Sequence, residues 1–181
     1  MAAVIAGVAG LIGAGIGGGA TAYGARIGAL KSLEAVRTQA EMQSSAEHNH
    51  WIREQRRVAC SDIAEAHATL VRSCNSHFTG VATGSSLSEE VTASMRENIT
   101  ILAQAVARLQ LWGPDNLVAA ANVLTHESAE FFFALVNWSN ANRGNQGSST
   151  EQAAYEDASE RQTAARSSFT GSCRTILQSR A

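Results

Sequence analysis

The residues best suited to chemistry are three cysteines and five histidines, and four of these eight share one helical face. Cys60, His67 and Cys74 are spaced seven residues apart on that face. Seven helical residues span roughly 10.5 Å, whereas zinc binds its ligands at about 2.0–2.3 Å, so the three cannot share one ion. The odd cysteine count and wide spacing also argue against a disulfide framework. We therefore expect reduced, core-facing side chains and no metal site.

Two motifs with catalytic potential are incomplete. His126-Glu127 begins like the zinc-protease helix H-E-x-x-H, but Glu130 stands where the second histidine is required. The stretch from Gly24 to Lys31 resembles a phosphate-binding loop but has no glycine directly before the lysine. The sequence therefore predicts no catalytic residue, and a non-enzymatic protein is the favoured interpretation.

A nucleotide-binding enzyme is an alternative interpretation of the N-terminal glycines. Gly13, Gly15 and Gly18 satisfy the spacing G-x-G-x-x-G of a dinucleotide-binding turn. That fold requires further strands alternating with helices, and the downstream sequence has helical patterns throughout. We therefore expect no cofactor.

Positive charge is too sparse to predict nucleic-acid binding. The formal net charge is −2, and a nucleic-acid-binding domain is normally strongly basic. A small basic cluster, Arg53, Arg56 and Arg57, lies beside Trp51. A solvated helix face is the simplest interpretation of this cluster, and contact with a phosphate or an acidic partner is the alternative.

The elements that position these residues begin with an uncharged segment, residues 1–25. As a helix it spans roughly 37 Å, enough for a bilayer core of about 30 Å. Val4, Val8, Ile12 and Ile16 recur every four residues, and small residues recur every four residues on the opposite side. The sequence therefore predicts a single transmembrane helix; a helix buried in a soluble assembly remains an alternative.

Small side chains on this helix form a groove through which helices can approach closely, as in a glycine zipper. The predicted helix–helix interface consists of Ala6, Gly10, Ala14, Gly18 and Ala22, with the further pairs Gly13/Gly17 and Gly15/Gly19. We expect a homo-oligomer to form through it.

Charge after the span predicts its orientation. Arg26, Lys31 and Arg37 follow the segment, and only the amino terminus precedes it. The positive-inside rule then places the C-terminal domain in the cytoplasm, with the protein anchored in the cell membrane.

The rest of the chain has helical composition, with one proline in 181 residues. We predict a polar helical stalk over residues 26–59 and a helical bundle over residues 60–181. The predicted bundle helices are 60–78, 87–112, 114–139 and 150–178. The inward-facing residues are expected to include Cys60, Ile63, His67, Leu70, Cys74 and His77; Val91, Met95, Asn98, Leu102, Ala105, Leu109 and Trp112; Leu117, Ala121, Leu124, Phe131, Phe132, Leu135 and Trp138; and Tyr155, Ala158, Ala165, Phe169 and Ile176.

The order of these features resembles a type of actinobacterial membrane-anchored helical protein. The resemblance rests on the Gly/Ala-rich span, the long Arg/Glu/Gln helix, and the break at Leu111–Pro114 followed by Leu117, Val118 and Ala121. The span here is unusually dense in glycine for that type. The resemblance implies an anchored helical fold. It brings no known activity or cofactor with it.

Together these patterns predict an all-α, membrane-anchored interaction or structural module that self-associates and binds a protein partner. A membrane-perturbing or pore-forming effector, which would assemble through the same groove, is the alternative from another functional class.

Overall fold

The chain is all-α in a computed structural model, which describes the backbone of residues 2–144 and 149–178 and the side chains of residues 28–144 and 149–178. No β-strand occurs in these ranges. Four helices follow in chain order: α1 Ala2–Ala82, α2 Glu89–Leu109, α3 Asp115–Arg143 and α4 Ser149–Gln178. The predicted all-α fold with a helical bundle is confirmed.

Two compact units divide the chain between His50 and Trp51. In the first unit, every side chain that the structure describes, residues 28–50, is exposed. Within the described residues, no helix carries a stretch sufficiently long and apolar to cross a membrane. The predicted span, residues 1–25, lies outside the described side chains, so the transmembrane prediction gains no support from the structure.

In the second unit, contacts between the helices follow an antiparallel register. Three pairs join α1 to α4, and the residue numbers of each pair add up to nearly the same value: Cys60–Cys173, His67–Gln162 and Phe78–Tyr155. The same relation holds for α3 with α4, through Glu127–Arg161 and Phe131–Tyr155. A constant sum means that one helix ascends while the other descends, so the helices form an up-and-down bundle.

The core of this unit comes from the stripes that the sequence predicts. Five predicted residues of α1 are buried, as are all seven predicted residues of α3. His77, Val91, Asn98 and Ile176 are only partly buried, and Trp112 is 39% exposed. The sequence-based stripes missed several buried residues, including the polar Ser128, Ser139 and Gln162, and also Cys173.

The end of α1 lies beyond its predicted position, because α3 supplies a partner for it. α1 continues through Gly80 to Ala82 rather than ending at residue 78. Val81 is 1% exposed, and the Asn142 side-chain amide donates to its carbonyl oxygen at 2.7 Å. A carbonyl at a helix end has no partner within its own helix, so this bond stabilises the longer helix. Gly84, at φ +92°, then turns the chain away in a left-handed conformation that favours glycine.

The start of α2 also differs from its prediction. The predicted helix starts at residue 87, but α2 begins at Glu89 and is capped by Ser88, whose Oγ accepts from the Val91 N–H at 3.2 Å. Leu87 is buried, and its N–H donates to Ser139 Oγ at 2.6 Å. Burial of Leu87 against α3 therefore selects the cap two residues later.

The turn between α2 and α3 requires a glycine. α2 ends at Leu109 rather than near Trp112, and the Gly113 N–H donates to the Leu109 carbonyl oxygen at 2.7 Å. A Cβ atom at position 113 would lie 2.9 Å from that oxygen and 3.0 Å from Leu109 Cδ1. Pro114 then leads directly into α3, as the sequence predicts, and α3 continues to Arg143.

Two adjacent phenylalanines provide a matched test of this core. Phe132 is fully buried, whereas Phe133 is 49% exposed. We expect Phe132→Ala to lower the free energy of unfolding by about 3–5 kcal/mol, because it removes buried ring contacts and leaves a cavity. Phe133→Ala should lower it by less than about 1 kcal/mol. Urea unfolding followed by circular dichroism measures both values; equal losses would contradict the assigned α3 face.

Candidate functional site

The first candidate surface is the α1 segment, which we define as residues 28–50. Its side chains are all exposed, including four large apolar ones. These are Leu30 at 59%, Leu33 at 66%, Val36 at 63% and Met42 at 68% exposure. Leu30, Leu33 and Val36 recur every three residues and therefore occupy about 120° of the helix surface. A continuous apolar stripe of this width is typical of a helix that packs on another element.

Local interactions support the α1 segment only weakly. Arg37 Nε pairs with Glu41 Oε1 at 2.9 Å, and Gln43 Nε2 donates to Glu47 Oε1 at 2.9 Å. Exposed pairs at this spacing contribute about 0.2–0.5 kcal/mol each. Most helices in proteins gain their stability from packing of an apolar face. The exposed stripe therefore makes the α1 segment a candidate surface.

The predicted zipper and flanking basic residues are described only in part. Arg37 is exposed and ion-paired with Glu41, and Lys31 is exposed. The side chains of Arg26 and of all nine predicted interface residues lie outside the described set. Those nine are Ala6, Gly10, Gly13, Ala14, Gly15, Gly17, Gly18, Gly19 and Ala22.

A second exposed apolar surface, the junction patch, consists of Trp51, Leu111 and Trp112. The two indole rings meet edge to face with centroids 4.8 Å apart, and Leu111 is 68% exposed. Arg56 Nε donates to the Trp112 carbonyl oxygen at 2.8 Å. This contact gives a partner to a carbonyl where α2 has ended, so Arg56 joins α1 to the turn between α2 and α3.

The predicted basic cluster therefore has partners inside the chain. Arg57 forms two bonds to the Glu54 carboxylate, at 2.7 and 3.0 Å, and this partner raises the pKa of Arg57. Arg56 is engaged with the Trp112 carbonyl. These contacts favour the interpretation of a solvated helix face over that of a phosphate-binding site.

A buried polar pair joins α1 to α4. His67 is 3% exposed and Gln162 is 4% exposed, and a hydrogen bond links Gln162 Nε2 to His67 Nε2. The amide nitrogen can only donate, so the imidazole accepts as a neutral ring. Burial, together with the charge of Arg166, lowers the pKa of His67 to about 4. His67 is therefore a weak base at neutral pH and is suited to structural hydrogen bonding rather than to proton transfer.

A pair of thiols lies two helical turns away from His67. Cys173 of α4 donates to Cys60 of α1, with 2.7 Å between the sulfur atoms. Both thiols are buried, and the third cysteine, Cys74, is fully buried. Cys60, His67 and Cys74 thus share one face, as the sequence predicts, but Cys60 and His67 take their partners from α4.

The remaining sequence motif serves packing between α3 and α4. Glu127 Oε2 lies 2.9 Å from Arg161 Nε, and Arg161 also bonds Asp157. His126 is exposed. Among the residues that the structure describes, no group of three or more His, Cys, Asp or Glu side chains is arranged to hold a metal ion.

The sequence carried a usable signal for Gln162, one of the two buried residues of α4 that the predicted stripe leaves out. Tyr155, Ala158, Gln162, Ala165 and Phe169 follow alternating spacings of three and four residues. That periodicity places Gln162 inside the core whatever its polarity. Polarity alone had excluded it from the predicted stripe.

The buried histidine makes stability depend on pH. Its pKa is about 4 in the folded chain and about 6.5 when unfolded, so the unfolded state binds the proton more readily. The stabilising contribution is complete above about pH 6.5 and is lost as the pH falls toward 4. From about pH 7 to pH 4.5 we expect His67 to account for a loss of roughly 2–3 kcal/mol in urea unfolding.

The double variant His67→Leu/Gln162→Leu should lose less stability over that pH interval, because the titrating imidazole is gone. Replacing both partners together leaves no buried polar group unpaired. His126→Gln, which removes an exposed histidine, should behave like the wild type. Identical pH profiles for the wild type and the double variant would contradict the assignment to His67.

Comparison with known proteins adds no family to this arrangement. No family model, curated protein or solved structure shows significant similarity to this chain. The function proposed below therefore depends on the chain's own residues.

Proposed function

We propose that this protein is a non-catalytic, self-associating helical module that binds protein partners while anchored at a membrane. The observation that carries the proposal is the contrast within α1. From Leu30 to Met42 its large apolar side chains are exposed, whereas Ile63, Leu70 and Cys74 are fully buried. The bundle therefore covers the apolar face that α1 contributes to it, whereas the stripe of the α1 segment is exposed and would be covered by a second chain.

A second copy of the chain is the occupant that we favour for the α1 segment. The segment carries both charge signs, with Lys31 and Arg37 close to Glu34 and Glu41. Mixed charges beside an apolar stripe suit packing of like helices, since each copy offers acids to the bases of the other. The glycine spacing in residues 1–25 favours close helix approach in the same oligomer.

The membrane anchor is part of the proposal on the grounds of sequence. Residues 1–25 carry no charge, and the following Arg26, Lys31 and Arg37 favour a cytoplasmic bundle by the positive-inside rule. Packing of several spans against one another would also help a glycine-rich helix to insert.

The all-helical fold favours an interaction role over an enzymatic one. The ranges that the structure describes are helical and contain no strand, whereas the dinucleotide fold suggested by Gly13–Gly18 requires a parallel sheet. Two of the buried polar residues, His67 and Gln162, bond each other. The proposed module therefore includes no nicotinamide or flavin cofactor.

The α1 stripe can be tested with matched triple variants of the full chain. Leu30→Gln/Leu33→Gln/Val36→Gln removes the stripe and keeps a good helix former at each position. Ala35→Gln/Met42→Gln/Ala46→Gln changes the other side of the same helix. We expect the first variant to weaken self-association at least tenfold in sedimentation in mild detergent, because burial of a large apolar side chain contributes about 1.5–3 kcal/mol. A monomeric wild type, or equal behaviour of the two variants, would refute the proposed interface.

The zipper can be tested separately from the anchor. Gly10→Leu/Gly18→Leu fills the groove but makes the span more apolar, so membrane recovery should persist while crosslinked oligomers decline. Val8→Leu/Ile12→Leu changes the bulky ridge and should retain both. Recovery of the intact wild-type chain in the supernatant, without detergent, would argue against an anchor.

A further inference from the structure

Two of the three cysteines meet across the bundle although they are 113 positions apart in sequence. Cys60 lies on α1, Cys173 lies on α4, and their sulfur atoms are 2.7 Å apart. A disulfide bond is about 2.05 Å long, so closure by about 0.7 Å would bring the sulfurs to bonding distance. The antiparallel register that pairs His67 with Gln162 holds both backbones in place for this approach.

We propose that Cys60 and Cys173 form a reversible redox site, in which a hydroperoxide oxidises the thiol pair to a disulfide that links α1 to α4. This inference goes beyond the proposed association function and does not depend on it. It also revises the sequence-based expectation of unpaired thiols, because wide sequence spacing does not report distance across a bundle.

The surroundings assign the two sulfurs different parts in the reaction. Cys173 donates its S–H to Cys60, which lowers the pKa of Cys60 and raises that of Cys173. A thiolate is the nucleophilic form of cysteine, so Cys60 is the attacking group and Cys173 the resolving one. Burial raises the pKa of Cys74 to about 12, which keeps Cys74 protonated and unreactive.

The reaction balances with one hydroperoxide per site. With hydrogen peroxide, the Cys60 thiolate attacks one oxygen, the O–O bond breaks, and hydroxide leaves to yield a sulfenic acid on Cys60. The hydroxide takes up the proton that Cys60 lost and becomes water. The Cys173 sulfur then attacks the Cys60 sulfur, the S–O bond breaks, and water leaves with the Cys173 proton. Two electrons pass from the two thiols to the peroxide, and a small dithiol reverses the change by thiol–disulfide exchange.

Access to the site can come from the end of α4. Cys60 and Cys173 are 7% and 9% exposed, and Cys173 lies five residues before Gln178, where α4 ends. Helix ends open locally at low free energy. Opening of the last turns of α4 is enough to admit a molecule as small as hydrogen peroxide.

The disulfide would secure the helix that carries the least apolar core. The α4 face contributes Ala158, Gln162, Ala165 and Cys173 to the core beside only two aromatic rings. Closing a loop of this length restricts the unfolded chain strongly. We expect oxidation to raise the melting temperature by about 10 °C.

Tryptic digestion separates the three cysteines onto different peptides, so the pairing can be read directly. Cleavage after arginine yields peptides 58–72, 73–96 and 167–174, which hold Cys60, Cys74 and Cys173 respectively. The full chain is treated with hydrogen peroxide, alkylated without reductant, digested and analysed by mass spectrometry. We expect a linked pair of peptides 58–72 and 167–174, with peptide 73–96 alkylated as a free thiol.

Single cysteine variants test whether the Cys60–Cys173 disulfide causes the rise in melting temperature. Cys74→Ser should retain both the linked peptides and the rise in melting temperature, whereas Cys60→Ser and Cys173→Ser should lose both. Circular dichroism under reducing conditions checks that each variant folds. Free Cys60 and Cys173 after peroxide treatment, a link to Cys74, or an oxidised wild-type chain that runs as a dimer on a non-reducing denaturing gel would each overturn the proposal.

Discussion

The packing of α1 against α4 is the constraint on which the rest of the bundle depends. Its three described contacts are a thiol pair, a histidine–glutamine pair and the ring pair Phe78–Tyr155. Two of these contacts are polar or weakly polar, and a buried polar group is tolerated only when it finds a partner. α1 and α4 must therefore meet in one register, because a shift by one residue would leave His67 and Gln162 without each other.

Because α1 and α4 must keep one register, the helix ends beside the loops are held by side-chain hydrogen bonds. Asn142 and Arg143 of α3 both donate to carbonyl oxygens around the α1–α2 loop, and Ser139 accepts from Leu87 there. At the other end, Arg56 binds the turn after α2. These bonds provide partners for the backbone groups that helix ends leave unpaired, so they hold the helices at lengths that preserve the α1–α4 register.

A single helix thus meets two different physical demands. From Trp51 onward, α1 contributes side chains to the buried core of the bundle. Residues 28–50 carry apolar side chains that are exposed to solvent. Apolar surface without cover favours association, which is the physical basis of the interaction module that we propose. The thiol pair adds a chemical means of changing the stability of the bundle without touching the α1 segment.

The sequence by itself determined the all-α class, the apolar stripes of the bundle and the break before α3, because helical periodicity and Pro114 act over a few residues. It also established the uncharged N-terminal segment and its glycine spacing. Only the tertiary structure decided that α1 extends to Ala82, that Gln162 pairs with His67, and that Cys60 meets Cys173. Each of these depends on residues distant in sequence, and a local pattern holds no information on which side chain another helix will supply.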